Sequence, residues 1–342
     1  MQKISDVDGN TDESPPKPYH TMKVTYFIIH TIAYLISLLP LWVLYRVSDG
    51  IYHLVYHIAK YRRPLVRKHL KDSFPEKNDA EITRIEKGFY SWFCDYIVET
   101  VKLFSMSERQ IRRRMTFKGT EEINRCIAEG QSCGVLLGHY CNWEWITSLP
   151  LWVSPEAQCA QIYHVLENKS FDTLLLNLRQ RFGAECIPMA ETLRRIVHYK
   201  QENRPIVIGY ISDQVPFWNN IHHWLDFLNH DTPVLTGTEK LIRASGEAAF
   251  YADVRRTRRG HYECEFIPMA RHPEKTEQWQ LTDTYFALLE KSIRRDPECY
   301  LWTHNRWKRT HEEFNKRYDK DTGKVFLGDL RKLDEWKAKN KK

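Results

Sequence analysis

Directly behind the apolar run Cys133-Gly134-Val135-Leu136-Leu137-Gly138, the chain reads His139-Tyr140-Cys141-Asn142-Trp143-Glu144. A histidine and a carboxylate at a strand exit are the ingredients of general base catalysis. A neutral imidazole, with an ordinary pKa of about 6.5, can take a proton from a hydroxyl near neutral pH, and a carboxylate in reach fixes its tautomer and stabilises the imidazolium as it forms. With such a base the hydroxyl of an acceptor substrate can attack an acyl donor directly, without a serine or cysteine nucleophile. At about 100° per residue, two helical positions five apart stand roughly 140° around the axis. His139 is therefore expected in the loop, and Glu144 in the first turn of the helix that follows, where a carboxylate suits the helix dipole. The same residues also fit a partly buried loop histidine beside a chance glutamate, and Cys141 is either a nucleophile or simply a small residue.

The elements that must position these groups alternate. Apolar or β-branched runs at 133–138, 158–165, 184–189 and 205–211 are separated by helical stretches at about 143–153, 171–182 and 191–203. This pattern predicts an α/β fold, a mainly parallel sheet flanked by helices. Ligands in such sheets gather at the carboxyl ends of strands. His139 closes one strand and Asp213-Gln214 closes another, so two polar clusters are expected on one rim. Residues 86–104 place Phe89, Trp92, Phe93, Tyr96, Ile97, Val101 and Phe104 at helical spacing, as core or as the wall of an acyl-chain slot. Thr236-Gly237-Thr238-Glu239 has the spacing of a capping box. Arg258-Arg259-Gly260 reads as a hairpin turn between 249–254 and 262–267, its arginines a solvated tip. Residues 1–22 and 318–342 are polar and charged and are expected to be poorly ordered.

The formal charge of +7 points to acidic partners. No zinc-finger spacing or RNP-like string supports nucleic acid, and the basic residues are dispersed. Eight cysteines without a C-x-x-C pair indicate neither a zinc site nor a disulfide framework, and read as reduced core residues.

From Val24 to Tyr45 the chain has 22 residues without Asp, Glu, Lys or Arg, about 33 Å as a helix against a hydrocarbon core of roughly 30 Å. A membrane-spanning or membrane-anchoring helix is expected at 24–45, with a tilted or partly re-entrant helix as the alternative because of His30, Ser37 and Pro40. Arg46, Lys60, Arg62, Arg63, Arg67 and Lys68 follow it, which places the large domain on the cytoplasmic side. Ile51 to Tyr61 fits an interfacial helix or an amphipathic core helix. The resulting division is a polar tail at 1–23, the anchor at 24–45, an interfacial or helical region at 46–113, a catalytic domain at 114–310 and a charged tail at 311–342.

Taken in order, these landmarks resemble the secondary acyltransferases of lipid A assembly, the lauroyl and myristoyl transferase family within the wider lysophospholipid acyltransferase-like group. The resemblance covers roughly residues 24–310. It rests on Gly138 to Glu144, Asn168-Lys169-x-Phe171-Asp172 with Arg179-x-Arg181-Phe182-Gly183, Ser212-Asp213-Gln214, Phe227-Leu228-Asn229 with Thr236 to Lys240, and Trp302 to Lys308. It implies a glycerol-phosphate-acyltransferase-like core. It also implies transfer of a fatty acyl group from an acyl carrier protein thioester to a hydroxyl of a lipid A precursor, at the cytoplasmic face of a cell inner membrane with anionic lipids. No metal or other cofactor is implied. By the family pattern His139 is the general base and Glu144 its orienting partner. Asn142, His164, Arg179, Asp213, Gln214, His304, Arg306 and Lys308 are candidates for shaping the site or meeting phosphates, with a plain alternative as surface charges for Arg306 and Lys308 and as a salt-bridged helix face for Arg179. One departure stands out: in place of the family's Tyr-Arg-Pro-Leu-like string, this chain has Tyr163-His164-Val165-Leu166. That puts the acceptor in doubt more than the reaction. The same chemistry on a lysophospholipid or an acylated amino-acid lipid, a thioesterase, and a non-catalytic lipid or carrier-binding module are the competing readings.

Overall fold

A computed structural model describes residues 19–340. The polar segment 1–18, read from sequence as part of a poorly ordered tail, lies outside the described residues.

The chain opens with α1 (Tyr19–Leu38) and α2 (Leu41–Tyr52), followed by a π-helical turn at His53–Ile58. α3 (Arg63–Ser73), α4 (Asp79–Lys102) and the short α5 (Glu108–Arg112) come next. The anticipated 24–45 span is broken. Pro40 has no N–H to continue α1, and the apolar stretch turns at this point by 115°. No single helix among the described residues is long and apolar enough to cross a membrane, but the bent pair passes that test together. The break is stitched to the body of the protein: Lys102 Nζ donates to the Ser37 and Leu39 carbonyls at 2.6 and 3.0 Å. These are carbonyls that a helix end leaves without intrahelical partners. The outer face of the elbow carries exposed Phe27, Ile32, Leu35, Trp42 and Ile58.

The α/β body comprises β1 (Met115–Lys118), α6 (Thr120–Ala128), β2 (Cys133–Leu137), β3 (Gln158–Tyr163), α7 (Lys169–Arg179), β4 (Glu185–Pro188), α8 (Thr192–Gln201) and β5 (Ile206–Ile211). A small hairpin of β6 (Trp224–Phe227) and β7 (His230–Pro233) precedes α9 (Gly237–Ser245), β8 (Ala248–Arg258), β9 (His261–Ala270) and α10 (Gln280–Arg295). The seven-stranded sheet has the order β1-β9-β8-β2-β5-β3-β4. It is parallel except where β8 meets β9. All of β2 is buried, as a central strand covered on both faces must be, and this explains its unbroken apolar sequence.

α4 is the spine beneath the site loop. A capping box at Asn78 and Glu81, which sequence reading missed, starts it. The box expected at Thr236 does not form. Thr236 makes no side-chain cap, and Glu239 instead accepts from the Trp279 and Thr282 N–H groups and the Thr282 hydroxyl. The β8–β9 tip is exposed as expected, with Arg258 and Arg259 at the surface, but Arg259 is also paired. Arg259 reaches the Asp95 carboxylate at 2.6 and 2.9 Å and Asp49 at 2.7 Å, and stacks over Tyr45 at 4.5 Å. Gly260 beside it has φ +70, and a Cβ there would run into the Tyr45 hydroxyl. At the other end of the chain, residues 311–340 are built in. They form α11 (His311–Arg317) and α12 (Leu333–Asn340), with Phe326 buried and Arg317 over the Trp218 ring at 4.8 Å.

Candidate active site

β2 and β5 pair in register through Leu137 and Ile211, so the residues that leave their carboxyl ends meet. His139 Nδ1 lies 2.7 Å from Asp213 Oδ1, and the His139 backbone N–H donates to Asp213 Oδ2 at 3.1 Å. The carboxylate is 2 % exposed and the imidazole 20 %. Burial alone would push the Asp213 carboxyl up, but the charge and hydrogen bonds of His139 outweigh it and hold the group below the usual carboxylate range. An ionised Asp213 accepts from Nδ1–H, which leaves the Nε2 lone pair as the acceptor and potential base of the ring. Gln214 Nε2 stands 3.3 Å from that nitrogen.

The carboxylate expected to orient His139 does something else. Glu144 takes a two-pronged ion pair from Arg179, Nε to Oε2 at 2.8 Å and Nη2 to Oε1 at 2.5 Å. The Tyr96 hydroxyl also reaches it at 3.5 Å. Burial works against the Arg179 charge and Glu144 more than offsets it. Trp143 lies between the two pairs, 5.1 Å from the His139 ring and 4.2 Å from that of Tyr96. Glu144 therefore stands behind the site loop as a buried counter-ion, and the orienting bond comes from Asp213. Its position in the chain is close to expectation, immediately ahead of a turn of 3-10 helix at Trp145–Leu151. At the start of that turn the Trp145 N–H is given to Asn142 Oδ1 at 3.1 Å, and just ahead of it the Cys141 N–H is given to the Cys299 carbonyl at 2.8 Å.

The loop is fixed from three sides. Tyr140 and Tyr300 form an antiparallel bridge, and the Leu301 N–H donates to the His139 carbonyl at 3.1 Å. Cys141 adopts φ +52, a left-handed conformation rare for a residue with a Cβ. Its thiol is fully buried, which removes it as a nucleophile for a substrate in solvent. Asn142, expected from sequence to be a substrate contact, is fully buried and donates to Glu99 Oε2 at 2.7 Å. Glu99 also accepts from the Tyr45 and Tyr262 hydroxyls at 2.9 and 2.8 Å. Burial pushes its carboxyl up to about 7, against these hydrogen bonds. One buried carboxyl thus ties α2, α4, β9 and the loop together.

The other candidates divide. His304 lies beside the pair, with the Val215 N–H directed at its Nε2 at 3.4 Å, and burial takes its pKa down to about 4. Arg306 is fully buried and cannot be a surface charge. Its Nη2 donates to the Pro233 carbonyl at 2.7 Å, while Nε and Nη1 have no protein partner. Lys308 and His164 are exposed, the latter with its ring on the neighbouring Val165 carbonyl. Arg181 donates to the Leu103 carbonyl past the end of α4. A groove of about 520 Å³ lined by Leu225, Asp283, Phe286 and Glu290 includes neither His139 nor Asp213 in its walls. Among the described residues no cluster of His, Cys, Asp and Glu is disposed to hold a metal.

The mainly parallel sheet thus holds a histidine and a carboxylate against each other across its central strand ends. The model of the bacterial lipid A biosynthesis acyltransferase family matches residues 14–309, and the chain belongs to that family. It is similar to a lipid A biosynthesis lauroyltransferase of Escherichia coli, 25 % identical over 291 residues, covering 84 % of this chain and 92 % of that one. A lipid A biosynthesis acyltransferase of Haemophilus influenzae is 20 % identical over 247 residues, 72 % of this chain and 76 % of its own. Acyl transfer is the chemistry this membership supports.

Proposed function

We propose that this protein transfers a fatty acyl chain from an acyl carrier protein thioester to a hydroxyl of a lipid A precursor at the cytoplasmic face of the inner membrane. The observation that carries the reading is the His139–Asp213 pair. Asp213 holds the imidazole in the tautomer whose Nε2 is a base, and His139 is the partly exposed member of the pair. The acceptor O–H gives its proton to Nε2 as its oxygen bonds to the thioester carbonyl carbon. The tetrahedral intermediate collapses, the C–S bond breaks, and the imidazolium returns the proton to the departing thiolate. The Gln214 amide, already beside Nε2, is the donor best placed for the oxyanion.

His139→Ala should abolish transfer from acyl carrier protein thioester with the fold intact by circular dichroism. Near-wild-type transfer by that variant would end the assignment. Mass spectrometry of lipid A from cells with and without the gene product tests the acceptor, since only the lipid A reading predicts loss of one acyl chain from that molecule. His164, exposed where the family resemblance has arginine, favours a second reading in which the same chemistry serves another membrane lipid.

A further inference from the structure

The sheet edge that carries His139 and Asp213 exposes more apolar surface than a water-facing rim requires. β2, β5, β3 and β4 are parallel neighbours, so their carboxyl ends share one edge. Leaving that edge are Val165 and Leu166 after β3, Met189 after β4 and Phe217 after β5, all exposed. Met189 is 61 % exposed, and Leu193 and Val197 continue from it at four-residue spacing along the outer face of α8, whose inner face buries Ile196 and Tyr199. Phe171 in the first turn of α7 adds another exposed ring. Single exposed apolar residues are ordinary, but a group drawn from successive segments onto one edge marks a contact surface.

Cations stand among these residues. Lys169 and Lys308 are exposed, and the Arg309 guanidinium lies 5.6 Å from the Phe217 ring. Apolar tips set between cations suit an interfacial layer, with tips among acyl chains and cations at phosphates. α7, which leaves the edge after β3, is tied to α1, since Asn177 donates to the Tyr26 hydroxyl at 2.8 Å. An acidic carrier protein would use the cations and leave Met189, Leu193 and Phe217 in water, whereas an anionic bilayer uses both.

We propose that the carboxyl edge of the sheet is a second membrane contact, separate from the elbow, which seats Met189, Leu193, Val197 and Phe217 in an anionic bilayer with His139 turned toward the lipid. The inference rests on the acyltransferase reading only for the nature of the acceptor. The test is a nitroxide on Leu193→Cys in the full chain, with a second label on Ile32→Cys in the elbow as reference. On vesicles of phosphatidylcholine and phosphatidylglycerol, the label at 193 should gain collisions with oxygen and lose them with a water-soluble nickel complex. A 193 label still open to nickel while the elbow label is immersed overturns the proposal, and so does protection without vesicles, whether by acyl carrier protein or by self-association. As a second measurement, Leu193→Arg with Val197→Arg should cut transfer to a vesicle-embedded acceptor about tenfold or more while leaving transfer to a detergent-dispersed acceptor within about twofold. Equal losses in both, with an unchanged melting temperature, would refute a membrane role. Absence of acyl transfer in the wild-type protein would defeat the acyltransferase reading and leave the label depths standing.

Discussion

Asp213 grips His139 twice, through the imidazole Nδ1 at 2.7 Å and through the backbone N–H at 3.1 Å, so one buried carboxylate sets both the tautomer of the ring and the position of the loop that bears it. Asp213→Asn replaces an acceptor with a group that can donate to Nδ1, which would put the proton on Nε2 and remove the base. Transfer should fall by about ten-thousandfold, the scale seen when an orienting carboxylate is lost from a histidine base. The loss should appear in kcat with little change in KM. A variant within tenfold of wild type would show that Asp213 is not the orienting group.

Glu144 makes a different prediction. Its side chain is 4 % exposed and bound to Arg179, and removing one member of a buried ion pair strands the other at a cost of about 3–5 kcal/mol. Arg179→Met should therefore lower the melting temperature and reduce activity together, and adding Glu144→Gln should recover part of the stability. If Glu144→Gln alone abolished turnover without moving the melting temperature, Glu144 would have a role in the chemistry that its contacts do not suggest.

His69 is buried, with Nδ1 3.2 Å from the Trp302 carbonyl, and burial takes its pKa down to about 4, as it does for His304. In the unfolded chain both histidines take up a proton below about 6.5, while in the folded protein they stay neutral until about 4. The unfolded state thus binds more protons across that interval, and stability is lost as pH falls from about 6.5 toward 4. Thermal melts should decline over this window, and His69→Gln should decline less steeply than wild type. Parallel curves would refute the assignment.

Arg259 is the cation that neutralises buried Asp95 from the hairpin tip. Arg259→Met should destabilise the protein by about 1.5–3 kcal/mol through the lost hydrogen bonds to the buried carboxylate, measurable by denaturant unfolding. Arg258→Met, at an exposed neighbouring position, should change stability by less than about 0.5 kcal/mol. Equal effects would show that the Arg259 contacts add nothing to stability.

The parallel strands were legible because each is a short apolar run bounded by helical periodicity, and the runs at 133–138 and 205–211 lie within a residue of β2 and β5 at both ends. That His139 and Asp213 share a rim follows from strand ends alone. Which carboxylate meets His139 does not, because Glu144 is near in sequence while Asp213 is near only after β2 and β5 pair. The signal available was the position of Ser212-Asp213-Gln214 at a strand exit, read as a substrate contact. The partners of Arg259 were hidden for the same reason: Asp49 and Asp95 lie far off in the chain. Pro40 was visible as a weakness in the apolar stretch, but the partner that turns a weak point into a corner, Lys102, sits on another helix.

That corner has a mechanical consequence. Straightening α1 and α2 into one rod would pull the Ser37 and Leu39 carbonyls away from Lys102, and Ser37 from the Ser105 hydroxyl as well, leaving the buried ammonium with Ser105 Oγ in place of three acceptors. The elbow therefore behaves as a rigid bracket and not as a hinge. A lipid layer that engages its outer face would set the tilt of α4, and with it the attitude of the whole sheet toward that layer.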